Sequence, residues 1–337
     1  MGARRDLGIW GYAFGYFAAY APYSALTKLV SQGKLPGQLR PVDGFELLPI
    51  TTVASLIGML TFLTLKGWWR HAGRRSVLGR ELPFPGRWTF LSGIATAAII
   101  ATTTLAYTFH GVSIVFMMLL MRGGVLAIAP VVDTLGRRKV RWYSWLALGL
   151  SLAALLVAVS DGASYQMSFV AGLDVFVYLT GYFVRLQFMS RQAKSADPNA
   201  SIRFFVEEQM VATPAIVTFL AILAVVGRGA VMQSVRAGFV GIWSSGAVSA
   251  SLVIGLLSQA TGIFGALILL DGRENAFCVP VNRASSVLAG VLASAGLVAL
   301  GFSRRVPPTD LVGASLVLAA IAVLATPTIL GARAKKP

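Results

Sequence analysis

Ten long apolar segments constrain what this chain can fold into more than any other feature of its sequence. A helix that crosses a bilayer needs about 20 predominantly apolar residues, and each segment has close to that length. Only 12% of the 337 residues are charged, whereas a soluble domain carries about a quarter. We therefore predict an all-α polytopic membrane protein with ten transmembrane helices.

The predicted spans follow one another with short polar connections. They cover residues 7–30, 45–65, 88–109, 112–132, 142–160, 169–189, 205–226, 241–270, 275–301 and 311–330. The eighth segment is too long for a straight span, so it either begins with an interfacial piece around Trp243 or has a different boundary. The longest polar stretch, residues 66–87, is predicted to be a loop with room for a short surface helix.

The basic residues predict the orientation of the chain. The net charge of +16 resembles that of a nucleic-acid-binding protein, but the Lys and Arg residues lie mostly in loops on the side of the N-terminus. This is the distribution that the positive-inside rule describes, so we predict no nucleic-acid binding and place both termini in the cytoplasm. The composition, rich in Ala, Gly and Arg, suggests a bacterial inner membrane.

Two arginines interrupt otherwise apolar spans. Arg122 lies about 16 Å into the fourth span and Arg283 about 12 Å into the ninth, at 1.5 Å per helical residue. An arginine deep in a membrane helix costs roughly 2.5–3.5 kcal/mol on insertion scales, so two of them indicate a site. Their offset of 161 residues also relates Gly111 to Gly272, Phe116 to Phe277 and Glu46 to Glu207.

The shared offset predicts an internal repeat. Ten helices divide into two sets of five, in residues 1–160 and 161–337. Because five is odd, the second set enters the membrane from the opposite side. Inverted repeats of this kind are a common plan of secondary transporters, whose binding site lies near the midplane between the repeats.

The fourth and fifth spans resemble a known family. Residues 120–123 (Leu-Met-Arg-Gly), the short Arg/Lys loop that follows and the segment from Trp142 are similar to the drug/metabolite transporter superfamily, closest to its nucleotide-sugar and sugar-phosphate branch. The resemblance implies five-plus-five inverted helices with both termini inside. It also implies that Arg122 and Arg283 contact a substrate phosphate. The Gly-Ala-Leu-Asn-Lys motif of the nucleotide-sugar members is absent, and residues 281–283 read Val-Asn-Arg instead.

The chemistry of the guanidinium group leaves two interpretations of the arginines. Its planar fork of donors suits phosphate or carboxylate groups, so Arg122 and Arg283 would clamp one anion at the midplane. Alternatively, each is neutralised by a carboxylate of the protein and holds helices together; a pair that opens when substrate arrives combines the two. The candidate substrate-binding residues are Arg122, Arg283, Glu207, Glu46, Arg185, Lys28 and Asn282.

The remaining charged residues in the spans also have alternative roles. Glu207 and Glu208 point about 100° apart on a helix, so at most one faces a central cavity. Glu207 is preferred because it matches Glu46; it is a proton-coupling group, an arginine partner, or a charge that complements the helix dipole. Arg185 and Lys28, near the cytoplasmic ends of the sixth and first spans, are expected to snorkel to the headgroups or to form an electropositive vestibule.

These features predict a secondary active transporter that works by alternating access. Its expected substrate is a small anionic metabolite, with a phosphorylated one preferred. A flippase for a lipid-linked phosphate is an alternative of the same class, and an intramembrane enzyme is one from another class. The sequence has no Ser/His/Asp arrangement, phosphate-binding glycine loop or metal-ligand spacing, so no cofactor or metal is expected. The expected partners are the anionic metabolite, membrane lipids and, for a homodimeric carrier, a second copy of the chain.

Overall fold

Helices occupy each of the predicted spans. The computed structural model describes residues 8–77, 79–110, 112–135, 142–160, 167–193, 197, 199–271, 275–303 and 306–334. In these ranges the α-helices are α1 (Ile9–Gln32), α2 (Gly44–Lys66), α3 (Arg87–Ala106), α4 (Ile114–Met118), α5 (Gly124–Leu135), α6 (Trp142–Ser160), α7 (Phe169–Gln192), α8 (Ala200–Val226), α9 (Gly229–Val240), α10 (Val248–Leu269), α11 (Asn275–Ala299) and α12 (Pro308–Ala334).

Shorter elements lie between the helices. A π-helical turn (Leu119–Gly123) joins α4 to α5, and 3-10 turns form at Trp68–His71 and Ile242–Ser244. Strands β1 (Arg74–Val77) and β2 (Arg80–Pro83) pair as an antiparallel hairpin between α2 and α3. We call the end of the bundle that carries this hairpin the hairpin end, and the other the opposite end.

Among the described residues, six helices are long and apolar enough to cross a membrane. They are α2, α3, α7, α8, α10 and α11 from Cys278 onward. Shorter apolar stretches lie at Ile114–Ile128, Trp145–Ala154 and Pro308–Val323. The chain is therefore an all-α membrane protein, as its composition predicts.

Polar caps and glycines explain several helix ends. Asp43 precedes α2 and accepts a hydrogen bond from a backbone N–H of its first turn, and Ser168 does the same for α7. An oxygen-bearing side chain at this position satisfies a donor that the helix leaves unpaired. At the other end of α2, Gly67 adopts φ +62°, a left-handed conformation that glycine accommodates without strain.

The structure corrects two sequence predictions about local elements. The eighth span begins at Val248 rather than at residue 241. Gly246, just before it, adopts φ +73°, and a Cβ added there would lie 2.3 Å from the Gly37 carbonyl oxygen. The residues around Trp243 form a separate 3-10 turn, so the second interpretation, a different boundary, is confirmed. Helix α9 before this turn was not predicted. In residues 66–87 the short helix is a 3-10 turn, and the β-hairpin was not predicted either.

The helices pack in a network that crosses the two halves of the chain. Helix α1 packs against α10 and α11, while α3 packs against α7 and α8; α2 packs against α8, α9 and α10, and α6 packs against α12. Small residues allow close approach, as they commonly do in membrane helices. At Gly255 of α10 an added Cβ would lie 2.3 Å from the Thr51 carbonyl oxygen of α2.

Gly255→Ala is expected to destabilise the protein by about 1–3 kcal/mol, because the extra methyl group overpacks the contact between α2 and α10. Thermal unfolding of the purified protein measures this. Gly149→Ala in α6 is the matched control, since an added Cβ there meets nothing within 4 Å and alanine favours a helix by up to about 1 kcal/mol. Equal stability of the two variants would contradict the close packing.

Candidate functional site

Arg122 lies in the π-helical turn between α4 and α5. Its side chain is 2% exposed. The turn is followed by Gly124, where an added Cβ would lie 2.7 Å from the Leu179 side chain of α7. A π-helical turn holds one more residue than an α-helical turn and is frequent at functional sites. The local backbone and the small residue after it thus bring Arg122 against α7.

Arg283 lies three residues after Pro280 in α11 and is fully buried, with 0% exposure. Proline inside a helix removes one backbone hydrogen bond and bends the helix. The Arg283 guanidinium lies over the Tyr182 ring, with its Cζ 4.5 Å from the ring centroid. Its Nη1 also donates to the Tyr178 hydroxyl at 3.5 Å.

The Tyr178 hydroxyl is where the two arginines meet. Arg122 donates one terminal N–H to Tyr178 and the other to Tyr20. Its Cζ lies 5.2 Å from the Tyr20 ring centroid and 5.3 Å from that of Tyr178, within the range of a cation–π interaction. Tyr20 also shares a hydrogen bond of 2.6 Å with Tyr107. The predicted arginine pair therefore forms, and it is held by tyrosines of α1 and α7.

Carboxylates do not neutralise these arginines in the part of the chain that the structure describes. Glu46 pairs with Arg40 at 2.5 Å, and its hydrogen bonds raise the pKa of Arg40 above its ordinary value. Glu207 pairs with Arg203 at 2.8 Å. The alternative in which Arg122 and Arg283 are neutralised by Glu46 and Glu207 is therefore wrong. The Nε atoms of both arginines have no hydrogen-bond partner among the described residues.

The adjacent glutamates of α8 serve two different contacts. Glu207 accepts from the backbone N–H groups of Gly73 and Gly86, both at 2.9 Å, and so attaches the two ends of the hairpin segment to α8. Glu208 accepts two hydrogen bonds from Arg185 of α7, at 2.9 and 2.7 Å. Ser92 and Thr96 of α3 also donate to Glu208. Glu208, which the sequence interpretation set aside, is thus the glutamate beside the core.

Arg185 and Lys28 are both buried, so the snorkelling interpretation is wrong for both. Arg185 is compensated by Glu208 near the hairpin end. Lys28 lies near the opposite end, where its ammonium group donates to the carbonyl oxygens of Phe109 and Val112 at 2.6 and 2.9 Å. The two residues therefore do not share one end of the bundle. Lys28 ties α1 to the connection between α3 and α4.

A cavity of about 80 Å³, with both polar and apolar groups in its wall, lies beside the arginine–tyrosine cluster. Arg122, Arg185 and Asn282 line it, with hydroxyl and amide side chains that include Thr96, Gln209, Gln259 and Thr261. Asn282 donates to the Gly265 carbonyl oxygen at 3.2 Å, and its own side-chain oxygen is buried without a partner in the described chain. The volume holds a few water molecules, whereas pockets that enclose small organic ligands measure about 300–1,000 Å³.

Sequence reasoning missed two groups of polar residues. Tyr16 and Tyr20 of α1 have the same spacing as Tyr178 and Tyr182 of α7, at an offset of 162 that is one more than that of the arginines. That repetition was a usable signal. Asp174 of α7 is buried at 5% exposure, and an acidic residue within an apolar span was the signal there. In the described ranges no group of three or more His, Cys, Asp or Glu residues is placed to hold a metal ion.

Comparisons with known proteins bear on the fold alone. No family model matches the chain, and no curated protein matches it. A solved structure described only as the crystal structure of a protein aligns with 97% of this chain and 99% of its own, with a TM-score of 0.50 and 14% sequence identity. The shared fold thus extends over nearly the whole of both chains. The fold and the site together define an all-α membrane protein with a buried arginine–tyrosine cluster.

Proposed function

We propose that this protein is a secondary active transporter for a small anionic metabolite, and that a phosphorylated metabolite is its preferred substrate. The observation that carries the proposal is that Arg122 and Arg283 both donate to the Tyr178 hydroxyl, beside a cavity lined in part by polar groups. Neither arginine has a carboxylate partner in the described chain. Two uncompensated guanidinium groups inside a membrane protein are costly. An anion that binds both of them removes that cost.

Two tyrosines orient one of the guanidinium groups for anion binding. Arg122 is held between two aromatic rings, which fixes the orientation of its guanidinium group without cancelling its charge. A rigid guanidinium group is well suited to bind two oxygens of one phosphate or carboxylate. Hydroxyl and amide groups around the cavity, such as Thr96 and Gln259, suit the polar remainder of a sugar-like molecule.

The repeat is part of the same proposal. We take α1, α2, α3, α4 with α5, and α6 as one set of five spans, and α7, α8, α10, α11 and α12 as the second. Helix α1 packs against α10, and its counterpart α7 packs against α3, the counterpart of α10. In the same way, α2 packs against α10 and its counterpart α8 packs against α3. A pattern that maps onto itself in this way supports a pseudo-twofold relation between ten helices in two inverted repeats.

The proposed transporter works by alternating access and resembles the drug/metabolite transporter superfamily. Its cavity of about 80 Å³ is smaller than a metabolite needs, so the helices around it must separate to admit one. We place both termini in the cytoplasm of a bacterial cell, with the hairpin end inside. The exposed Arg74, Arg75 and Arg80 at the hairpin end agree with the positive-inside rule. Arg4, Arg5, Lys194 and the basic residues at 137–141 lie outside the described residues.

A thermal-shift panel tests the proposal. Glucose 6-phosphate, a nucleoside diphosphate, citrate and a short-chain phosphatidic acid are each added to the purified protein, and a soluble phosphate is expected to raise Tm. Ligand at 100 times its Kd stabilises by about 2.7 kcal/mol. Arg122→Gln is expected to abolish the shift, while Arg236→Gln on the exposed face of α9 retains it. No shift by any soluble anion would contradict the proposal, and a shift by the lipid phosphate alone would favour the flippase.

A further inference from the structure

Asp174, on α7, is a buried carboxylic acid that nothing compensates in the part of the chain the structure describes. It is 5% exposed, and both of its side-chain oxygens lack a hydrogen-bond partner there. The ion pairs of the described chain involve other carboxylates. Asp174 precedes Tyr178 by one helical turn, about 6 Å along α7, so both residues lie on the same face of the helix.

The elements that pack against α7 bring few charges near Asp174. These elements are α3, the π-helical turn, α5 and α8. Helix α3 has no titratable residue after Arg87, at the hairpin end, and the titratable residues of α8 lie in its first turns at the same end. The π-helical turn contributes Arg122, which reaches Tyr178, and α5 contributes Asp133, whose side chain lies outside the described part. Tyr178 is thus the nearest titratable neighbour on the helix of Asp174.

An unpaired carboxylate in such surroundings is unstable. Transfer of an ionised carboxylate out of water costs far more than transfer of a neutral acid, so a buried group of this kind binds a proton or acquires a cationic partner. Arg122 and Arg283 carry two positive charges that the described chain leaves without a carboxylate. They are connected to α7 through Tyr178, one turn from Asp174. An anion in the arginine site and an ionised Asp174 are therefore two ways of balancing the same excess of positive charge.

We propose that Asp174 is the proton-binding group of this carrier, and that it takes up one proton when an anion occupies the arginine site. The inference rests on the transport function proposed above. In the unloaded carrier the ionised Asp174 balances part of the positive charge of the arginines, without an ion pair to either of them. When the anion binds, the carboxylate accepts a proton from the solution on the side from which the anion entered and becomes a neutral acid. The proton is returned when the anion leaves, so anion and proton move in the same direction.

Infrared difference spectroscopy tests proton binding directly. On addition of glucose 6-phosphate at neutral pH, wild-type protein in lipid nanodiscs is expected to gain the carbonyl band of a protonated carboxylic acid. Asp174→Asn, which is isosteric with the neutral acid, is expected to fold and to lack this band. Glu46→Gln is the control, because Glu46 is paired with Arg40, and it retains the band. A wild-type spectrum without the band, or an Asp174→Asn spectrum that keeps it unchanged, overturns the proposal.

Coupling is measured with radiolabelled glucose 6-phosphate in proteoliposomes whose membrane potential is held at zero. One proton carried with the anion gives about tenfold accumulation for each pH unit, which corresponds to about 1.4 kcal/mol. Asp174→Asn is expected to lose this accumulation and to retain counterflow exchange. Gradient-driven accumulation by Asp174→Asn overturns the coupling while transport stands. Absence of counterflow in the wild type contradicts the proposed function, whereas counterflow without the infrared band overturns the role of Asp174 alone.

Discussion

Replacing Arg122 or Arg283 by alanine is expected to abolish anion transport and to leave a folded protein. Each substitution removes a charge that forms no ion pair in the described chain, so no salt bridge is broken by it. The tyrosines that contact the arginines keep each other as neighbours: the Tyr178 and Tyr182 ring centroids lie 4.8 Å apart. Folding therefore survives although the anion loses its site.

Lysine at the same positions provides a graded test of the geometry. It keeps the charge but loses the planar fork of donors. The loss of one charge-assisted hydrogen bond, about 1.5–3 kcal/mol, corresponds to roughly a 10–150-fold loss of transport. Counterflow in proteoliposomes measures the rate, thermal unfolding checks the fold, and Arg236→Ala is the control. Wild-type rates in both alanine variants would rule out the arginine site.

Glu208→Gln is expected to be the most destabilising single change at the core, by about 3–5 kcal/mol. The substitution leaves the buried Arg185 without its countercharge, and breaking a buried ion pair from one side has a cost of this size. It also weakens the contact of α8 with Ser92 and Thr96 of α3. Chemical or thermal unfolding of the purified protein measures the loss.

Glu207→Gln, at the adjacent position, is the matched comparison. Its partner Arg203 has a side chain that is 55% exposed, so water compensates the arginine after the substitution. The glutamine still loses one of the hydrogen bonds that Glu207 accepts from Gly73 and Gly86, at a cost of about 1–3 kcal/mol. The lost stability is therefore expected to be clearly smaller than for Glu208→Gln. Equal losses from the two variants would show that burial of the Arg185 pair contributes nothing.

The outline of the fold was predictable from the length of the apolar runs. Helix α6 begins at Trp142 and ends at Ser160, as predicted, and α2 extends one residue beyond each predicted end, Phe45 and Leu65. The hairpin was not predictable in this way, because the side chains described for its strands are exposed or half-buried and the segment is attached to α8 through Glu207. Helix α9 was missed since it is short and has a mixed composition. The count of ten spans and their inverted arrangement stay predictions.

The site was predictable only in part. Arg122 and Arg283 stood out because arginine is rare in membrane helices, and the structure brings them together. Their contacts with Tyr178 and Tyr20 were not readable, since a tyrosine in an apolar span resembles any packing aromatic until its hydroxyl is located. The choice of Glu207 over Glu208 depended on a sequence offset. The position of a carboxylate on a helix face, however, is fixed by packing with α3 and α7.

The π-helical turn at Leu119–Gly123 gives the fourth span two separate packing faces. One residue rotates a helix by about 100°, so the extra residue sets α5 out of phase with α4 by about that angle. Accordingly, α4 packs against α11 and α12, whereas α5 packs against α6 and α7. The span thus consists of two half-helices with different neighbours, and Arg122 lies in the turn that joins them. A rotation of one half-helix relative to the other would therefore reorient the Arg122 guanidinium group directly.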